Sequence, residues 1–128
     1  MPLVQVALRK GKSPQYLAAV GDGIHRAMVQ TINAPADDRF QIFTQHSPEE
    51  LVYDAGYLGI RRSDDIVVIR ITLNTGRTLE MKRALYAAIA ENLARDPGLR
   101  REDVFINLVE VPKEHWSFGN GAMSYSPG

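Results

Sequence analysis

Met1-Pro2-Leu3-Val4-Gln5-Val6-Ala7-Leu8 opens the chain. The run is apolar enough to read as a buried strand, with proline at one of the few places a strand tolerates it. Removal of Met1 would leave Pro2 as a free secondary amine at the edge of a core. A free α-amine titrates at roughly 7.7–8.0, and burial or a nearby cation lowers that value toward neutrality. Such an amine is a base able to move protons at physiological pH. With Met1 attached the same nitrogen is a tertiary amide and no base. The other reading, a proline that merely begins a strand, is open at this point.

Outward from this strand the chain is regular. Arg9 to Lys12 form a loop, and Ser13-Pro14 reads as the N-cap and first position of a helix. Leu17, Val20, Ile24, Ala27, Met28 and Thr31-Ile32 follow at helical spacing until Ala34-Pro35 stops them. Arg39-Phe40-Gln41-Ile42-Phe43-Thr44 alternates as a strand. Residues 46–64 are broken by Pro, Gly and Asp around a short apolar piece at Leu51-Val52-Tyr53. Ile66 to Leu73 is a second near-continuous apolar strand, interrupted by Arg70. Thr78 caps a second helix with Met81, Ala84, Leu85, Ala88, Ile89 and Leu93 on one stripe. Pro97-Gly98 ends it, and Val104 to Val111 is the last long strand. The tail from Trp116, with Gly119, Gly121 and Gly128, reads as a hairpin and a loose end.

A shift of 65 positions, from Gly11 to Gly76, lays the chain on itself. Gly11-Lys12-Ser13 falls on Gly76-Arg77-Thr78, Asp38 on Asp103, and Tyr53 on Phe118. The pattern is β-α-β twice, over approximately residues 2–53 and 67–118, within one domain spanning 1–128. Each unit makes a parallel strand pair with a right-handed crossover. The expected fold is α/β: two fused β-α-β units forming a four-stranded mixed sheet with two helices on one face, plus short hairpins. The first and third strands are nearly all apolar and call for cover on both faces. Two helices cover only one, so the other should meet another copy of the chain.

If a pseudo-two-fold relates the halves, the starts of strands one and two and the end of strand three share one edge. Those positions carry Pro2, Asp38 and Arg77: a base, a carboxylate and a cation. The mirror edge carries Lys12, Asp103 and Val67, without a base or nucleophile.

The totals narrow the function. Fifteen basic and fifteen acidic side chains cancel, leaving no electrostatic footprint for nucleic acid or an anionic membrane. No signal peptide or apolar run approaching ~18 residues is present, which points to the cytoplasm. Zero cysteines exclude a disulfide framework and thiol catalysis. Gly11-Lys12-Ser13 lacks the earlier glycine of a phosphate loop, since Val6 stands there. His25, His46 and His115 lack paired metal spacing and read as surface or loop residues; no metal and no cofactor are expected. Asp37-Asp38 also fits a plain helix-to-strand turn. Arg70 fits a second site cation or, by preference, an ion pair at a subunit interface. Trp116 and Phe118 fit core packing, while their glycine-flanked loop suits a pocket wall.

Four stretches resemble the tautomerase superfamily, and within it the malonate semialdehyde decarboxylase branch. They are Ala36-Asp37-Asp38-Arg39-Phe40-Gln41-Ile42, Arg62-Ser63-Asp64-Asp65-Ile66-Val67-Val68-Ile69, Glu91-Asn92-Leu93 and Trp116-Ser117-Phe118-Gly119. The resemblance implies a homotrimer with an amino-terminal proline at a small, partly hydrophobic pocket. The carboxylate beside the proline falls on Asp38, and the aromatic walls fall on Trp116 and Phe118. That branch places two arginines, one residue apart, after the third strand. Here Arg77 matches the second and Thr75 takes the place of the first, in a loop one residue longer.

The expectation is therefore an enzyme: a tautomerase with Pro2, Asp38 and Arg77 as catalytic residues and Arg70, Thr75, Trp116 and Phe118 binding a small carboxylic acid. Tautomerisation asks for a base, one cationic anchor and an apolar cavity. Decarboxylation or hydration of a small 3-oxo or unsaturated acid is the alternative, and a non-enzymatic oligomeric domain the second.

Overall fold

Ser13 and Thr78 start two helices in the same way. Each is extended, with φ of −74° and −75°, and each hydroxyl accepts the N–H three residues on, from Tyr16 and Met81, at 3.1 Å. Two residues before each cap stands a glycine at positive φ, Gly11 at 106° and Gly76 at 121°, a conformation that side chains resist. The computed structural model describes residues 2–125. Met1, on whose removal the Pro2 reading depends, and Gly128, assigned to a loose end, lie outside the described residues.

The elements are β1 (Leu3–Arg9), α1 (Pro14–Ile32), β2 (Phe40–His46), β3 (Val67–Asn74), α2 (Leu79–Arg95) and β4 (Val104–Val111). They form a four-stranded mixed sheet in the order β2-β1-β3-β4. β1 and β2 run parallel, as do β3 and β4, while β1 and β3 are antiparallel. The second β-α-β unit therefore runs opposite to the first. The short hairpins expected beyond the sheet do not form among the described residues; 3-10 turns at Tyr57–Gly59, Arg101–Asp103 and Lys113–His115 occupy the connections. The tail doubles back, with Ser124 N–H donating to Trp116 C=O at 3.3 Å, but pairs no strand. Gly119, Asn120 and Gly121 all have positive φ, which breaks the extended run a hairpin needs.

Alternate residues of the central strands, Val4, Val6 and Leu8 with Val67, Ile69, Ile71 and Leu73, bury against Val20, Ile24 and Met28 of α1 and Leu85, Ile89 and Leu93 of α2. The helices meet at Gly23, where an added Cβ would stand 2.9 Å from Leu93 Cδ2. There Asn92 Nδ2 donates to Gly23 C=O at 3.0 Å, a buried hydrogen bond joining the two halves.

The helix-free face differs from the expected apolar sheet centre. Gln5 and Arg70, opposite each other on β1 and β3, are exposed there. The apolar exposure lies on the outer strands instead, at Phe40 and Ile42 of β2 and Phe105 and Val109 of β4. Period-two alternation explains this: the polar residues inside β1 and β3, Gln5, Arg70 and Thr72, fall on the same face and are not scattered through the core.

Candidate active site

Strand direction brings three parts of the chain to one end of the sheet. Leu3 pairs with Phe40 and with Thr72. Pro2, one residue earlier, therefore adjoins both the Asp38-Arg39 entry to β2 and the Leu73-Asn74 exit from β3. Pro2 and Asp38 are both buried, the latter 8% exposed.

Asp38 is held by a turn, its N–H donating to Pro35 C=O at 3.1 Å. Its Oδ1 is buried without a hydrogen-bond partner among the described residues. Burial raises its carboxyl above the ordinary carboxylate value, helped by Asp37 and opposed by the amino-terminal charge and by His25. His25, expected at the surface or in a loop, is instead half-buried on α1. Its Nε2 donates to Ala36 C=O at 2.9 Å, which leaves its buried Nδ1 unpartnered. It braces the turn that delivers Asp38. Nothing in local spacing marks it, because the contact depends on where the chain returns after α1.

Arg77 leaves the sheet at the same end. Its guanidinium donates to Asn74 C=O at 3.1 Å and Ile32 C=O at 3.4 Å, so the loop and the end of α1 aim it without neutralising it. It lines an open cavity of about 410 Å³ with Ile32, Asn33, Asn74, Thr75, Gly76, Met81, Lys113 and Tyr125. Pro2 and Asp38 lie outside that wall, at the adjoining strand starts. Trp116 adjoins it, its Nε1 donating to Asn74 Oδ1 at 2.7 Å. Trp116 stacks on Phe118 at 5.3 Å, and Phe118 meets Tyr125 edge-on at 5.5 Å. The tail thus lays an aromatic row along the cavity.

Arg70 does not join this group within the subunit. It lines a different cavity, on the helix-free face, with Gln5, Ala7, Ile42, Thr44 and Val68. Lys113 and Tyr125, by contrast, were not foreseen as lining residues. The signal for Lys113 was present: β4 runs parallel to β3, so residues just past its end emerge beside Arg77.

Two antiparallel β-α-β units with this cavity at one end of the sheet make a tautomerase-type fold. The chain belongs to the tautomerase family: two family models, each described as tautomerase enzyme, match residues 38–119 and residues 2–58. It is similar to probable tautomerase YusQ of Bacillus subtilis, 45% identical over 121 residues that make up 94% of this chain and 95% of that protein. A solved malonate semialdehyde decarboxylase superposes with a TM-score of 0.90 at 34% identity, covering 95% of this chain and 94% of that one. A symmetric trimer of fused 4-OT gives 0.76 at 27%, covering 94% of each chain. The resemblance read from the motif stretches is borne out. The protein is an enzyme of the tautomerase superfamily, which sets aside the non-enzymatic domain. Among the described residues no helix is long and apolar enough to cross a membrane.

Proposed function

We propose that this enzyme tautomerises a small 2-oxo or enol acid, with Pro2, exposed as the amino terminus by loss of Met1, as general base. The observation that carries the reading is the burial of Pro2 beside a carboxylate whose Oδ1 has no hydrogen-bond partner. An amine that takes the proton from the enol hydroxyl becomes a cation, a charge that the Asp38 carboxylate at the adjoining strand start favours. The amine then returns the proton to carbon, completing a 1,3-shift with no net change in atoms or charge. Burial disfavours the ammonium and Asp38 favours it, which keeps the amine able to exchange protons near neutrality. Arg77 anchors the carboxylate, with Thr75 beside it and Trp116 and Phe118 as the apolar wall.

The exposed apolar side chains of the helix-free face support a homotrimer, as does the trimeric state of the fused 4-OT structure. In that assembly Arg70 sits at or near a subunit interface. A monomer at micromolar concentration in light scattering would overturn it. A second reading, decarboxylation or hydration of a small 3-oxo or unsaturated acid, is favoured by the close superposition on malonate semialdehyde decarboxylase. Assaying an aryl enolpyruvate beside a 3-oxo acid separates the two. Faster ketonisation of the enol supports the tautomerase, and decarboxylation without ketonisation overturns it.

A further inference from the structure

We infer that Lys113 is a second anion-binding cation of the Arg77 cavity, and that the two side chains together hold the carboxylate end of the substrate. The inference rests on the acid-substrate reading above. Arg77 follows β3 and Lys113 follows β4; these strands are parallel, with Asn74 opposite Val111, so both cations leave the sheet at the same end. They line one cavity whose other polar side chains, among the described residues, are Asn33, Asn74, Thr75 and Tyr125, with no acidic residue among them.

Neither cation is in an ion pair among the described residues, whereas Lys12 and Lys82 meet carboxylates at 2.6 and 2.7 Å. Arg77 is directed by two carbonyl groups, which orient its charge and leave it uncompensated. The Lys113 ammonium rests 5.9 Å from the centroid of the Tyr125 ring. That contact steadies the charge electrostatically and uses none of its three N–H donors in a hydrogen bond. Two cations in one wall, without a carboxylate partner among the described residues, make a site for an anion. The division of labour follows from side-chain chemistry. The planar guanidinium takes a carboxylate edge-on through two N–H groups, and the lysine adds a movable point charge to a remaining lone pair.

Lys113 is exposed, so its replacement leaves the core untouched. Malonate serves as the probe, read by titration calorimetry and by the fluorescence of Trp116, the chain's single tryptophan, which bonds to the cavity wall. Lys113→Gln should weaken malonate binding about tenfold, and Lys113→Arg should recover most of it. In turnover, Lys113→Gln should raise KM for the acid with kcat little changed. Wild-type affinity for malonate should fall with added salt, and that of Lys113→Gln should fall less steeply.

Unchanged affinity in Lys113→Gln overturns the inference, as does failure of the wild type to bind malonate. Binding needs no turnover, so the two readings fail separately. Weakened malonate binding in a protein that ketonises no enol acid keeps the cation and sinks the tautomerase. Normal turnover with an unaltered KM in Lys113→Gln does the reverse.

Discussion

Asp38 and Asp103 stand at corresponding places, just ahead of the two outer strands, and their surroundings are opposite. Asp103 is fully buried, and its two oxygens accept the Ser63 N–H and the Ser63 hydroxyl, both at 2.6 Å. Arg100 adds a charge at 3.6 Å. Asp38 is nearly as buried and has one oxygen with no partner. The contrast extends to the cations. Lys12 meets Asp65 at 2.6 Å, a hydrogen bond that holds its ammonium above the ordinary lysine value, and Arg9 meets Asp64 at 3.3 Å. At the other end Arg77 meets, among the described residues, only carbonyl oxygens. A buried polar atom without a partner costs stability and persists where something else uses it. The satisfied end of the sheet has its polar groups paired, and the unsatisfied end is the one for which the chemistry is proposed.

The sharpest way to break this comparison is at Pro2. Blocking its nitrogen by acylation, or by retention of Met1, should lower turnover by about 10²–10⁴-fold, the usual worth of a general base. Pro2→Ala keeps a primary amine and should keep part of the activity. If protein of confirmed mass bearing Met1 works as fast as the processed form, Pro2 is only the first residue of a strand.

Next in size is the exchange of cations. Arg77→Ala should cost about 2–4 kcal/mol in kcat/KM for a small acid and little for an uncharged ester. Its counterpart Lys12→Ala removes an exposed pair and should change stability by less than about 1 kcal/mol, with no effect on kcat/KM. Equal losses of activity from both would erase the difference between the two ends.

The carboxylates themselves should respond with opposite signs. Asp103→Asn replaces an acceptor-only group facing two donors and should destabilise by about 1.5–3 kcal/mol, measured by urea unfolding, with activity per folded molecule retained. Asp38→Asn should lose activity and gain about 1 kcal/mol at pH 7. Because burial raises the Asp38 carboxyl in the folded state, that state holds this proton more tightly than the unfolded chain does. Stability from this group is present below the ordinary value of 3.8, is lost as pH rises through the raised folded value, and stays lost at neutrality. The advantage of Asp38→Asn should therefore shrink to nothing as pH falls to about 3. A constant difference from pH 3 to 7 would mean that Asp38 is not the titrating group.

The smallest effects should be equal. Ser13→Ala and Thr78→Ala each remove one capping hydrogen bond of the same length and should each cost about 1 kcal/mol in thermal or urea unfolding. A twofold disparity would show that the halves differ even where their geometry is the same.

The order of elements, both helix caps and the superfamily were legible in the sequence. Those signals are local: a cap spans three residues, and the motif stretches are contiguous. The sequence placed Pro2, Asp38 and Arg77 at one edge only on the condition that a pseudo-two-fold relates the halves, a condition that the antiparallel pairing of β1 and β3 meets. The company each residue keeps came from the packing of the folded chain. Lys113 and Tyr125 entered the Arg77 cavity, His25 came to brace the turn before Asp38, and Arg70 went to the opposite face. Each outcome depends on register and on where a loop returns, set by the packing of the whole sheet against two helices and by no stretch of neighbouring residues.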